Sequence, residues 1–339
     1  MRIALAGAGL VGRQHAAALA AAGLELAVVA DPDPAARDWA AARGVDWVET
    51  VEAALARAPD GLIAATPTAL HARHAGAAIA AGVPVLVEKP LAESAAAAAP
   101  LVAAAEAAGV PVLVGHHRRH NPQVARAKAA IEAGRLGRIV AVHGFCWLPK
   151  PGDYFDAPWR RAPGGGPVMI NLIHDVDLLR HLCGEIVAVR AEVSNAVRGL
   201  AVEDSAVALL RFANGALGTL TLSDAIAAPW SWEMTAGENP AYPRAQAACA
   251  MIGGTLGSLS LPDAALWSAE DGAPHWWAPL KVEAVAAPPV DPLVAQARHF
   301  AEVIRGAAPL VSGAEGLRSL RVVEAVLEAA ASGAEVRLE

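Results

Sequence analysis

The chain has 339 residues, a formal net charge of −7 and 55% hydrophobic residues, much of that share being alanine. This length predicts two domains. The acidic balance, with no block of lysine or arginine, argues against nucleic acid or an anionic membrane as partner, and Gly, Pro or charge cuts every window that approaches the roughly 20 apolar residues of a membrane span.

Up to about residue 120 short apolar strands alternate with alanine-rich helices. MRIALAG, LELAVVAD, GLIAATP, PVLVEKP and VPVLVGH read as strands, and segments near 12–22, 34–43, 50–57, 69–81 and 93–108 read as helices. Strands this uniformly apolar, separated by helices, predict a parallel sheet covered on both faces. A signal peptide is not expected at the N-terminus, because Gly7, Gly9 and Gly12 interrupt its apolar run. A helix near 122–133 follows, and then the texture changes. RIVAVHGFCW, IVAVRAEVSN, DSAVALLRFA and ALGTLTLSD read as strands, two of them joined through Asn214-Gly215, a hairpin signal. This predicts a second, largely antiparallel sheet, interrupted by a helix near 168–182. Helices near 291–305 and 314–332 and a strand EVRL complete the chain, and the proline-rich stretch 286–292 reads as a connector. The expected division is a dinucleotide-binding domain over 1–121 and a second α/β domain over 122–339, with the helices of 291–332 packing back on the first. Three scattered cysteines, Cys146, Cys183 and Cys249, suit a reducing cytoplasm and form neither a disulfide framework nor a metal-ligand spacing.

GAGLVG, residues 7–12, fits G-x-G-x-x-G between a strand and a helix. Gly7 permits the tight turn, Gly9 lets the backbone approach a pyrophosphate, and Gly12 lets helix and strand pack closely. Leu10 and Val11 lie inside the loop, where the helix N-terminus offers N–H groups to the anion. Asp31 ends the second strand where a ribose-binding carboxylate is expected, and Pro32-Asp33-Pro34 rather than an arginine follows it. The pattern therefore predicts NAD in preference to NADP. The competing explanation is a glycine turn followed by a helix-capping aspartate.

Two further strand ends fall on the same edge, outside which ligands bind in parallel sheets. One carries Thr66, Pro67 and Thr68, with His71 one turn later; a helix cap at Thr68 is compatible with cofactor contact. The other ends on Glu88-Lys89-Pro90, an opposite-charge pair at the margin of an apolar core, where the nicotinamide half of the cofactor is expected.

At this point the chain resembles the glucose–fructose oxidoreductase / inositol dehydrogenase / rhizopine-catabolism (Gfo/Idh/MocA) family over nearly its whole length. The resemblance rests on GAGLVG, Asp31, TPTALH, EKP, GHHRRHNP at 115–122 and GGGPVMINLIHDVDLL at 164–179. It implies a Rossmann domain followed by an α/β domain whose open sheet often forms the oligomer interface, here of a homodimer or homotetramer. It implies redox chemistry at a hydroxyl or carbonyl of sugars, cyclic polyols and related diols. The family lysine falls on Lys89 and the family catalytic histidine on His174. Three positions depart from the pattern: Ile170 stands where many members have aspartate, and His116 and His117 stand where an aromatic and an Asn-like residue are usual.

Read as a helix, 168–182 places Asn171, His174, Asp175 and Leu178 on one face and Leu172, Val176 and Leu179 on another. The bland alternative is a buried histidine satisfied by its acidic neighbours. Removing a hydride from an alcohol needs a base for the hydroxyl proton and a donor to steady the alkoxide. His174 suits the first role and Lys89 the second, and the two assignments are exchangeable. Asn171 or Asp175 is expected to compensate for the missing aspartate, by orienting His174 or binding a second hydroxyl. His117 is a cofactor candidate, and Arg119, Trp147, Trp159 and Arg160 are substrate candidates, since tryptophan faces stack on sugar rings. The expected function is NAD-dependent hydride transfer on a small polyhydroxylated ring. The alternatives are an internal redox cycle on tightly held NAD and a non-catalytic dinucleotide sensor, the latter disfavoured by the presence of Lys89.

Overall fold

The computed structural model describes residues 1–285 and 290–338. The chain divides into two compact units: Met1–His120 with Asp291–Leu320, and Asn121–Val290 with Arg321–Glu339. Residues 286–289 of the expected connector lie outside the described residues; Asp291 and Pro292 open a helix instead.

The first unit opens β1 (Arg2–Ala6), α1 (Leu10–Ala21), β2 (Glu25–Ala30), α2 (Pro34–Ala41), β3 (Asp46–Val48), α3 (Val51–Leu55), β4 (Gly61–Ala64), α4 (His71–Ala80), β5 (Val85–Val87), α5 (Ala95–Ala108) and β6 (Val112–Val114). The six strands form one parallel sheet in the order β3-β2-β1-β4-β5-β6. Its centre is dry: Ile3, Leu5, Leu62, Ile63, Leu86 and Leu113 are fully buried. The sequence pattern does not betray β3, whose three residues pair only with β2. The order reverses between β1 and β4, so the crevice outside their carboxyl ends is where this topology accepts a ligand.

The second unit runs α6 (Pro122–Glu132), β7 (Ile139–Trp147), α7 (Ile173–Cys183), β8 (Ile186–Ser194), β9 (Ser205–Phe212), β10 (Leu217–Ser223), α8 (Trp232–Thr235), β11 (Ala250–Gly254), β12 (Gly257–Leu261), β13 (Ala265–Ala269) and β14 (Leu280–Ala284). Two more helices follow, α9 (Pro292–Ile304) in the first unit and α10 (Gly313–Ser332), inside which the unit boundary falls, before β15 (Val336–Arg337). The second sheet has nine strands in the order β14-β13-β12-β11-β7-β10-β9-β8-β15. Its neighbours are antiparallel except β7 and β10, which run parallel. The Asn214-Gly215 hairpin joins β9 to β10, with Gly215 at φ 87°. Strands β11 to β14 carry a weaker apolar alternation and go beyond the four strands predicted.

Three helix starts follow one chemical rule. Asp33-Pro34, Asn121-Pro122 and Asp291-Pro292 each place a side-chain acceptor at the N-cap and a proline in the first turn. The cap satisfies an N–H that the helix itself leaves open, and proline gives up no bond there.

One predicted helix is different in kind. Residues 168–182 are not a single α-helix: Val168–Leu172 forms a π-helical turn before α7 begins. A rotation of 100° per residue does not carry across that wider turn, so Asn171 cannot be assigned to the face of His174 by counting. Nor does α7 divide into a polar and an apolar face. Residues 173–180 are all buried, Asp177 and Arg180 included, and Arg180 meets Glu185 through two nitrogens at 2.9 and 3.0 Å.

Candidate active site

The glycine loop of the first unit shows a separate steric reason for each glycine. Gly7 sits at φ +88°, and a Cβ there would lie 2.6 Å from the Ala65 carbonyl oxygen. A Cβ on Gly12 would lie 1.9 Å from the Gly7 carbonyl oxygen, so α1 can pack against the loop only without a side chain. A Cβ on Gly9 would meet no atom within 4 Å. Open space at the head of a helix, beside N–H groups that lack intrahelical partners, is a cradle of the kind an anion occupies. Leu10 and Val11, 79% and 40% exposed, form its rim.

Asp31 holds this loop. Its Oδ2 accepts the Ala8 N–H at 2.7 Å and its Oδ1 accepts the Asp33 N–H at 2.9 Å. Each carboxylate oxygen retains a second lone pair, which leaves capacity for a ribose hydroxyl. Thr66 pairs through its hydroxyl with His74 at 3.1 Å. Thr68 opens a short 3-10 turn (Thr68–Leu70) rather than capping a helix, since no side-chain cap bond forms there. His71 is buried, with Nδ1 2.7 Å from the Pro90 oxygen and Nε2 2.8 Å from the Thr66 oxygen. Both ring nitrogens thereby face main-chain oxygens, and His71 fastens the Thr66 and Pro90 loops together.

The Glu88-Lys89-Pro90 turn leaves the sheet directly after β5. Glu88 Oε1 is 2.7 Å from His15 Nε2, and Glu88 Oε2 accepts the Lys89 N–H at 3.1 Å. Burial alone would raise the Glu88 pKa. The hydrogen bond from His15 and the charges of His15, Lys89 and His117 outweigh it and bring the group from 4.5 down to about 2. Gly115 is required beside it, because a Cβ there would lie 2.9 Å from the carboxylate. His15 carried no motif in the sequence; its sign was a histidine within an alanine-rich helix, three residues past Gly12. His117 is half-buried, and Arg119 is buried in an ion pair with Glu315 at 2.9 Å. That pair ties the segment after β6 to α10 within the same unit.

In the second unit His174 and Asp175 are 7% and 8% exposed on α7. Asn171 is half-buried in the π-helical turn, and its Oδ1 has no hydrogen-bond partner. Ile170, half-buried in the same turn, supplies no carboxylate. Glu203, which the sequence pattern did not single out, meets the start of that turn. Its Oε1 accepts the Val168 N–H at 2.9 Å and lies 2.2 Å from where a Cβ on Gly166 would be. Burial pushes the Glu203 carboxyl up, against the opposing pull of the Val168 N–H.

Trp147 belongs to an aromatic cluster, with ring centroids 5.2 Å from Phe145 and 5.4 Å from Trp230. The Arg160 guanidinium stacks 4.0 Å over Tyr154 and 5.2 Å from Trp159, which is itself 56% exposed. Nearby, the buried Lys150 ammonium lies 4.6 Å over Tyr154 and 3.6 Å from Asp224; burial draws its pKa down, and Asp224 opposes that shift. Neither Lys150 nor Asp224 stood out in the sequence, because a lysine beside two prolines and an aspartate after a strand are common loop residues. Among the described residues no group of three or more His, Cys, Asp or Glu side chains is arranged to hold a metal ion, and no helix is long and apolar enough to cross a membrane.

These features can be set beside known proteins. Residues 1–116 match the family model described as an oxidoreductase family with NAD-binding Rossmann fold, and residues 124–259 match the GFO/IDH/MocA C-terminal domain. The rhizopine catabolism protein MocA of Rhizobium meliloti is 29% identical over 337 residues, spanning 96% of this chain and 94% of its own. Inositol 2-dehydrogenase 4 of Saccharopolyspora erythraea is 34% identical over 236 residues, 66% of either chain. The crystal structure of the WlbA dehydrogenase from Bordetella pertussis in complex with NADH and UDP-GlcNAcA is similar with a TM-score of 0.80 and 28% identity, over 100% of this chain and 98% of that one. The two family models together cover most of the sequence, and the chain belongs to the GFO/IDH/MocA family of NAD-binding oxidoreductases.

Proposed function

We propose that the chain interconverts a hydroxyl and a keto group on a small polyhydroxylated ring, such as a sugar, an inositol or a cyclic diol. The observation that carries this reading is the Glu88-Lys89-Pro90 turn. It presents one lysine at the carboxyl edge of the dinucleotide sheet, on main chain anchored through Glu88 and Pro90. Inositol and WlbA dehydrogenases among the similar proteins support the ring class.

Bound NAD supplies the hydride acceptor. The loop of Gly7, Gly9 and Gly12 and the Asp31 carboxylate are suited to hold it, with room at Gly9 for a pyrophosphate. The Lys89 ammonium would steady negative charge on the reacting oxygen. His174 would take the hydroxyl proton, since an imidazole exchanges protons near neutral pH. Asp175 would orient His174. The Asn171 amide oxygen, buried without a donor, favours a ligand that brings one, and a second ring hydroxyl does so. Trp147, Trp159 and Arg160 offer aromatic faces and a guanidinium on one segment, a composition suited to sugar rings.

The open face of the second sheet supports a homodimer or homotetramer. Val207, Leu209, Leu217 and Met251 are 50%, 58%, 56% and 42% exposed there, more apolar surface than a lone sheet face usually shows to water. Three buried free cysteines fit a reducing cytoplasm.

The test is a hydride-transfer screen read by NADH absorbance. NAD is offered with a panel of sugars, inositols and cyclic diols, and NADH with the matching ketones. Turnover confined to one ring class is the expected result. Saturable NADH binding with no turnover on any ring would overturn the reading.

A further inference from the structure

Two buried histidines, His15, which belongs to no motif, and His71, which closes TPTALH, bind the main chain on either side of Lys89. His15 comes from α1, the helix that starts at the glycine loop, and is 1% exposed. It grips Glu88 Oε1 at 2.7 Å, while the other oxygen of that carboxylate accepts the Lys89 N–H at 3.1 Å. His71 opens α4, is likewise 1% exposed, and lies 2.7 Å from the Pro90 oxygen and 2.8 Å from the Thr66 oxygen. The Glu88 N–H continues the sheet to the Ala64 oxygen at 2.9 Å, and Gly115 closes the other side of the carboxylate. The main chain before Lys89 is thus tied to the helix of the glycine loop, and the main chain after it to the Thr66 loop.

We infer that His15 and His71 are positioning residues that set where Lys89 stands relative to the two cofactor loops. Neither need touch substrate or cofactor to do so. His15 acts through the Glu88 carboxylate, and His71 acts through two main-chain oxygens. A long side chain on a turn has its reach decided by the turn, and a catalytic group displaced by about 1 Å can cost on the order of 10²-fold in rate. This inference rests on the proposed role of Lys89, but the placement of Lys89 can be measured without any turnover.

The chain has four lysines, Lys89, Lys128, Lys150 and Lys281, so carbon-13 reductive methylation gives a short spectrum in which Lys89→Arg assigns one signal. The variants are His15→Phe and His71→Phe, which keep an aromatic ring and remove the ring nitrogens, and His15→Gln, which keeps a donor for Glu88. The inference expects the Lys89 signal to move in both Phe variants and to return toward its original position in His15→Gln, with the Lys128 and Lys281 signals unmoved. Should a Phe variant fail to fold, His15→Leu and His71→Leu, which also remove the ring nitrogens, carry the same comparison. A Lys89 signal unchanged in every variant would overturn it, and so would equal movement of all four signals.

Kinetics with NAD and myo-inositol, or whichever panel ring turns over, separates the two layers. Full activity in Lys89→Ala defeats the proposed role of Lys89 itself. A loss in Lys89→Ala beside unaltered kcat in both Phe variants defeats the positioning alone. The expected pattern is a kcat lower by about 10–100-fold in the Phe variants, with NADH affinity held within about twofold and partial recovery in His15→Gln.

Discussion

The glycine loop allows stability and cofactor affinity to be separated by single methyl groups. Gly9 has φ −70° and ψ −165°, a conformation open to any L residue, and its added Cβ would meet nothing within 4 Å. Alanine there narrows the unfolded ensemble without straining the native one, so Gly9→Ala should be as stable as the parent or firmer by about 0.4–1 kcal/mol. That methyl would stand in the space assigned to the pyrophosphate. Overfilling a close-packed contact costs about 1–3 kcal/mol, which weakens NADH binding by about 5–150-fold. Gly12→Ala is the opposite case. Its Cβ would lie 1.9 Å from the Gly7 carbonyl oxygen, a main-chain atom that cannot swing aside, so the start of α1 must retreat from the loop. Gly12→Ala should lose both stability, by at least about 1–3 kcal/mol, and affinity. The assay pairs thermal unfolding with a fluorescence titration of NADH on all three proteins. Unchanged NADH affinity in Gly9→Ala would refute the assignment of that space.

Other consequences concern titratable groups. Glu88 has a folded pKa of about 2 against 4.5 for the free group; its contribution is fully present above pH 4.5 and is lost as the pH falls toward 2. The linkage is worth on the order of 3 kcal/mol, and acid unfolding of His15→Phe, where the drop in stability over that window should be smaller, checks it. Glu203 is shifted the other way, upward by burial, so its ionised form weighs against folding at higher pH. Glu203→Gln should therefore be at least as stable as the parent at neutral pH, while Glu203→Ala should lose about 1 kcal/mol with the Val168 N–H acceptor; denaturant titration of both variants distinguishes them. The Cys183 thiol is pushed up to about 12 by burial, so native protein should resist alkylation at that site at pH about 8 and react fully once unfolded, as peptide mapping would show.

The parallel sheet was legible because its strands are unbroken apolar runs bounded by Gly, Pro and Asp, and GAGLVG could be placed because it follows such a run. The Asn214-Gly215 turn announced its hairpin for the same local reason. What escaped the sequence depends on contacts between residues far apart in the chain. His15 and Glu88 are 73 residues apart, and Glu203 and Val168 are 35 apart, so no spacing rule joins them. The π-helical turn at Val168–Leu172 escaped because an apolar run beside a helix has the same texture whether its turns close at four residues or five. Arg119 stands at a strand end, and its pairing with Glu315, 196 residues away, could not be read from that position. The role of a polar side chain follows from what it meets, and pattern reports only where it stands in the chain.

The central claim is that Lys89 serves hydride transfer to and from NAD. The most direct measurement is single-turnover hydride transfer by Lys89→Met on the ring substrate found in the screen, with NADH affinity measured on the same sample. The account predicts a variant that still binds NADH but transfers hydride at least about 10²-fold more slowly. Parental rates in Lys89→Met would contradict it.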